Sequence, residues 1–277
     1  MQNQKRVIAI NDISSFGKCS LSVAISILSA AGIETCALPT AVLSAHTGFK
    51  GYTFCDLTSN ILPSADHWKK LGLSFDGIYS GYLGSKEQVK CVEKVMDQFS
   101  FDIKLVDPVM GDDGKLYDGF TEDFPQEMKK LIKHADVIVP NVTESCLLTG
   151  VSYREEHSKE YIEELIDRLK EECNSSIVIT GINSKTDKIS TAVYENGNIT
   201  YIENDKQRAV YSGTGDVFAS TFMAALMEGY DTVSAAKLSA DFVSECIEIT
   251  RKVSSERHYG INFELNTKSL LEKLNKI

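Results

Sequence analysis

Arg6-Val7-Ile8-Ala9-Ile10, followed by Asn11-Asp12-Ile13-Ser14-Ser15-Phe16-Gly17, decides the fold class. An apolar run this short makes a buried strand, and the polar stretch after it makes a loop. A helix is expected next, over about 20–31, because Leu21, Ala24, Ile25 and Leu28 recur at helical spacing and Gly32 closes it. Glu34-Thr35-Cys36-Ala37-Leu38 then supplies a second strand. Strand, helix and strand in that order imply a parallel pair joined by a crossover. Further along, strands are expected at 76–80, 103–106, 137–139 and 177–180, with helices over 86–99, 124–134 and 160–172. Only 190–202 departs: Thr191-Ala192-Val193-Tyr194 and Ile199-Thr200-Tyr201-Ile202 flank Asn196-Gly197, a strong hairpin signal. Helices follow over 214–227 and 232–251 and near the C-terminus. No linker, repeat or low-complexity segment interrupts this order. The expectation is one domain, 1–277, of α/β class: a three-layer α/β/α sandwich with a mainly parallel central sheet and no separate lid domain.

Composition narrows the function classes. A chain of 277 residues with 43% hydrophobic residues can bury a sizeable core. Its net charge of −10 argues against a nucleic-acid surface or a polybasic membrane contact, so an anionic substrate would have to be bound by local devices. The longest apolar runs fall well short of the ~20 residues of a membrane span, and the residues before Arg6 carry no signal-peptide core, which points to a soluble, cytoplasmic protein. Seven cysteines are scattered without a Cys-x-x-Cys pair, which suits a reducing compartment and offers no zinc spacing.

In open parallel sheets, ligands bind beyond the carboxyl ends of the strands. The segments to inspect are 11–19, 43–51, 80–85, 107–117, 140–145, 180–185 and 212–216. The last contains Gly213-Thr214-Gly215-Asp216, which opens the apolar helix from Val217. N–H groups in a first helical turn lack intrahelical partners, and glycine leaves them uncovered, so they can cradle an anion. Asp216 is favoured there by the helix dipole yet would repel a bound phosphate, which suggests a reagent. An ordinary glycine-rich turn with an acidic first helical residue reads the same way. Asp107-Pro108-Val109-Met110-Gly111-Asp112 places acids after a strand, where they could hold metal-bound water, or form a solvated turn. Asn141-x-x-Glu144 could orient a hydrated magnesium ion, or simply cap a helix.

Two familiar nucleotide motifs fail. Phe16-Gly17-Lys18-Cys19-Ser20 has a Gly-Lys pair, but Asp12 stands where a P-loop needs glycine, and Cys19 where it needs a hydroxyl. Gly213-x-Gly215 is half of a dinucleotide fingerprint, but no strand ending in an acid follows it.

Taken together, Ser80-Gly81-Tyr82-Leu83-Gly84-Ser85, Asp107 to Asp112, Asn141-x-x-Glu144 before Leu147-Leu148-Thr149-Gly150, and Gly213 to Asp216 resemble the ribokinase superfamily, specifically its pyridoxal kinase branch. Leu43-Ser44-Ala45-His46-Thr47-Gly48-Phe49 also resembles that family's segment beside the pyridine ring. The resemblance implies Asp216 as catalytic base and the N–H groups of Gly213, Thr214 and Gly215 as the anion hole. It implies Asp107, Asp112, Asn141, Glu144, Thr180 and Thr214 around ATP, with Asp107 and Glu144 reaching magnesium through water. Ser14, His46, Thr47 and Tyr82 would line the vitamin pocket with Asp216. A homodimer is implied too, and potassium is a further candidate ion. Hydroxymethylpyrimidine kinases of thiamin synthesis share the scaffold but typically carry Cys where Asp216 stands. The first loop and Val139 depart from the branch's usual wording, which leaves vitamer preference open. A non-catalytic nucleotide- or vitamin-binding protein on this scaffold is the alternative outside enzymes.

In a loose phosphoryl-transfer transition state the acceptor's proton leaves late, so Asp216 need only align the hydroxyl and take the proton. Its pKa is then free to stay low.

Overall fold

The computed structural model describes residues 4–184, 186–207, 211–253 and 259–277. The chain begins with β1 (Arg6–Ser14), α1 (Ser20–Ala30), β2 (Glu34–Leu43), β3 (Phe54–Asp56), α2 (Thr58–Lys70), β4 (Gly77–Ser80), α3 (Lys86–Gln98) and β5 (Ile103–Val106). A small pair follows, β6 (Gly111–Asp112) and β7 (Lys115–Leu116), then α4 (Phe124–Ile132), β8 (Val137–Ile138), α5 (Val142–Thr149), α6 (Lys159–Glu172) and β9 (Ser176–Asn183). The hairpin β10 (Lys188–Glu195) and β11 (Asn198–Asp205) leads to α7 (Thr214–Met227), α8 (Thr232–Val253), a 3-10 turn at Phe263–Asn266 and α9 (Thr267–Lys273).

One nine-stranded sheet runs β11-β10-β9-β8-β5-β4-β1-β2-β3. It is parallel from β2 through β9 and antiparallel at both edges. Val7, Ile8, Ala9 and Ile10 are fully buried, because a central strand in such a sheet is covered on both faces. Burying each Val or Ile side chain contributes roughly 1.5–3 kcal/mol.

Alternation along the strands sorts the core into two layers. Val7, Ala9, Leu105, Val137 and Val178 pack with α1, α7 and α8. Ile8, Ile10, Val106, Ile138 and Ile177 pack with α3, α4 and α6. The three-layer α/β/α sandwich of ribokinase-like proteins is therefore present. From β1 the chain steps first to β2 on one side and later to β4 on the other, so the strand order reverses at β1. A crevice opens there at the carboxyl ends.

Asn196 and Gly197 both take positive φ, 51° and 83°, as a two-residue hairpin turn requires. The expected first loop is shorter than the sequence suggested: β1 continues to Ser14, so Asn11 and Asp12 sit on the strand. None of the cysteines forms a disulfide; Cys55 is exposed, Cys36 half-buried and the others buried. Among the described residues no helix is long and apolar enough to cross a membrane.

Candidate active site

Helix α7 begins at Thr214 with Gly213 as its N-cap, in the left-handed region at φ 76°. A Cβ on Gly213 would lie 2.1 Å from the Lys18 carbonyl oxygen, so the close approach of the first loop requires glycine there. Gly215 differs. A Cβ there would meet nothing within 4 Å, so no protein neighbour calls for glycine. The Thr214 hydroxyl donates to the Tyr211 carbonyl at 3.4 Å, and the first intrahelical bond, Val217 N–H to the Gly213 carbonyl, spans 3.1 Å. Among the described residues the backbone N–H groups of Thr214, Gly215 and Asp216 have no hydrogen-bond partner. N–H groups so placed can cradle an anion, the role expected of them from the sequence.

Asp216 sits half-buried in that first turn. Burial pushes its carboxyl up to about 7, and the charge of Asp12 adds to the rise; the Ser20 N–H and the Asn11 amide oppose it. The low pKa expected from sequence is corrected here, because the crevice removes most of the carboxyl's solvent. Asn11 Nδ2 lies 3.5 Å from Asp216, at the outer limit of a hydrogen bond, and Asn11 Oδ1 accepts the Tyr82 N–H at 2.8 Å. Asn11 thus joins the strand end of β1, the loop after β4 and the start of α7.

On the β2 side of Asp216, Ser14 is buried and donates to Asp12 at 3.2 Å. His46 Nδ1 accepts the Gly48 N–H at 3.1 Å, which leaves the proton on Nε2, and burial lowers its pKa. Burial also raises the Tyr82 phenol to about 12, so both side chains are neutral donors. Thr47 is exposed at the tip of its turn. Phe16, Phe49 and Tyr259 meet ring to ring, with centroids 4.8 to 5.7 Å apart, and the Phe16 carbonyl accepts the His46 N–H.

On the other side of Asp216 lie the remaining acids. Asp107 follows β5, is almost fully buried, and has no recorded hydrogen-bond donor among the described residues. Burial, then Glu144, then Asp216 push its pKa far up. Glu144 and Asn141 form a capping box at the start of α5: each side chain bonds the other's backbone N–H at 2.8 Å. Glu144 also accepts the Met110 N–H at 3.1 Å, and burial moves its pKa to about 8. Asp112 is exposed at the end of β6, and Thr180 is bridged to Asn141. Among the described residues no three His, Cys, Asp or Glu side chains converge to grip a metal ion directly.

The sequence reading passed over Asn11, Asp12, Ser20 and Tyr117. The Tyr117 N–H donates to the Met110 carbonyl at 2.9 Å, beside the acids, and burial followed by the charges of Glu144, Asp112, Asp107 and Asp216 raises its phenol. Two consecutive polar residues ending an apolar strand was the available signal for Asn11 and Asp12. Lys18 is turned away to Glu264 and Asn262, as expected of a lysine outside a P-loop.

An acid set inside an N–H cradle at the switch point of a parallel sheet defines a phosphotransferase of the ribokinase-like class. The phosphomethylpyrimidine kinase family profile matches residues 19–261, and the chain belongs to that family. A crystal structure of a phosphomethylpyrimidine kinase homologue from Bacteroides thetaiotaomicron, in a form with pyridoxal, is 35% identical. It superposes at TM-score 0.91 over 97% of this chain and 96% of that one. The pyridoxal kinase of Lactobacillus plantarum is 30% identical with TM-score 0.91, over 99% of each chain. The pyridoxal kinase of Actinobacillus pleuropneumoniae is 28% identical over 89% of each chain. Within its family the chain falls with the pyridoxal kinases.

Proposed function

We propose that this chain transfers the γ-phosphoryl group of ATP to the 5′-hydroxymethyl group of a B6 vitamer: pyridoxal, pyridoxine or pyridoxamine. The observation that carries the reading is Asp216, a half-buried carboxyl of raised pKa inside an uncovered N–H cradle. The open space at Gly215 supports it, since a phosphate can approach the backbone only where no Cβ intervenes.

Asp216 accepts the hydroxyl proton as the bond to phosphorus forms, and a pKa near 7 suits a base working near neutral pH. Asn11 and the Ser20 N–H hold the carboxylate in place. The N–H groups of Gly213, Thr214 and Gly215 meet charge on the transferring group without reorganising. Neutral His46 and Tyr82 present donors to the ring, with Ser14 and Thr47 at its border. Asp112, Asn141 and Thr180 border the nucleotide side.

Asp107 and Glu144 fit a hydrated magnesium ion: burial raises both, Glu144 raises Asp107 further and Asp112 raises Glu144, and among the described residues neither has a cationic partner. Bound there through water, magnesium would neutralise phosphate charge. Potassium is a further candidate. We read 1–277 as one catalytic domain, acting in the cytoplasm. A second copy of the chain is its partner, and the exposed edge strand β3, with Phe54 half-exposed, is available to it.

Coupled ADP release measured with the three vitamers and with hydroxymethylpyrimidine tests the reading. Turnover of a vitamer is expected. Activity with the pyrimidine alone would move the chain to the thiamin branch, and binding without ADP release would make it a non-catalytic binder.

A further inference from the structure

Asp12 is a charge in the ring pocket that the phosphoryl-transfer chemistry leaves unused. β1 and β2 slip register between Asn11 and Ile13, so Thr40 and Ala41 together oppose Asp12. Such an irregularity re-aims a side chain. Asp12 is 5% exposed, and Ser14 donates to its carboxylate at 3.2 Å. Asn11 Oδ1 accepts the Asp12 N–H at 3.1 Å and the Tyr82 N–H at 2.8 Å, and Asn11 Nδ2 lies 3.5 Å from Asp216, so Asp12 stands between the loop after β4 and the start of α7; its charge is felt at Tyr82, His46 and Asp216.

What is missing around Asp12 is a cation. Among the described residues no lysine or arginine pairs with it, and Lys18 is committed to Glu264 and Asn262. His46 stays neutral, with Nδ1 occupied by the Gly48 N–H. Burial raises the Asp12 pKa, and the Ser20 and Ser14 hydroxyls oppose the rise without bringing a charge. A buried carboxylate without a paired cation is costly, and such a cost persists where a ligand relieves it. Ser20 is itself held at φ 55°, with its N–H toward Asp216 and its hydroxyl toward Asp12, so the two acids are set side by side by one strained residue.

Building on the vitamer-kinase reading, we propose that Asp12 recognises positive charge on the ring substrate, while Asp216 handles the hydroxyl. Two groups on a B6 vitamer can carry that charge: the ammonium of a 4-aminomethyl substituent and a protonated ring nitrogen. The rival role for Asp12 is to organise the loop, tying Ser14 and Ser20 so that Ser20 reaches Asp216. That role would affect turnover of every vitamer alike and leave their KM values alone.

The test measures kcat and KM for pyridoxamine, pyridoxal and pyridoxine with the full chain and with Asp12→Asn, alongside melting temperature. Asp12→Asn is expected to raise KM at least tenfold, a larger change than the one it makes in kcat. A rise confined to pyridoxamine assigns the ammonium, and a rise shared by all three assigns the ring nitrogen. KM values within twofold of the parent for all three vitamers, whatever happens to kcat, would overturn the proposal. If Asp12→Asn does not fold, Asp12→Ser keeps a hydrogen-bonding group without the charge and is read the same way. Failure of the parent chain to turn over any vitamer would be a failure of the kinase reading, separate from this one.

Discussion

Burial sets the behaviour of Asp216, and it links activity to stability. An acid whose pKa rises from 3.8 unfolded to about 7 folded favours the native state fully only below pH 3.8, and this contribution is lost as pH climbs through 7. The charged form that the proposed chemistry needs is therefore the destabilising one. Asp216→Asn is expected to be more stable than the parent at pH 8 by about 2 kcal/mol, allowing for solvent relaxation, with the gap closing toward pH 4. Urea unfolding at the two pH values checks this. The glycines beside it separate by cause. Gly213→Ala forces a side chain against the Lys18 carbonyl in the left-handed region and is expected to cost at least about 2 kcal/mol of stability. Gly215→Ala meets open space and is expected to hold or gain up to about 1 kcal/mol, because alanine favours the helix. Its kcat/KM is nonetheless expected to fall by the equivalent of about 3 kcal/mol as a cradle donor is obstructed. Thermal unfolding with steady-state kinetics on both variants separates the two. Asp216 and its glycines were legible because a helix start, a charge and two missing side chains coincide in adjacent residues. Asp12 was not, since its meaning depends on what surrounds it from three other segments.

At the scale of elements, the start of α5 shows a cap and a site sharing residues. Asn141 and Glu144 were open to either reading in sequence, and their hydrogen bonds show that the cap is formed; Glu144 also fixes Met110 on the loop after β5. The two readings are compatible, because a carboxylate that ties two loops together also stands at the strand ends where a hydrated ion would lie. Asn141→Ala is expected to cost about 1 kcal/mol from the lost cap and somewhat more from the freed Gly111 carbonyl, measured by chemical denaturation. Helix α7 begins and ends at the residues its apolar pattern predicted. Helix α2 went unread: only Ile61 and Ala65 are buried along Thr58–Lys70, and Pro63 lies inside it, so its period is faint. β6 and β7 are two residues each and have no period to read.

Across the whole molecule, the alternation of strand and helix was enough to fix the layers, because each parallel strand must bury both faces. The order of strands was not legible, since a crossover helix looks the same whichever side it turns to. The net charge of −10 repels an anionic nucleotide at long range, so the proposed binding would rest on the N–H groups at the start of α7 and on neutralised acids. The KM for ATP, with magnesium in excess, is accordingly expected to stay level or fall between 20 and 200 mM salt; a tenfold rise would point to a basic binding surface instead. The most direct test of the account is turnover of a B6 vitamer by Asp216→Asn, with ATP binding measured on the same preparation. The account predicts a kcat reduced by at least about a thousandfold with nucleotide affinity within a few-fold of the parent. Turnover close to that of the parent would contradict it.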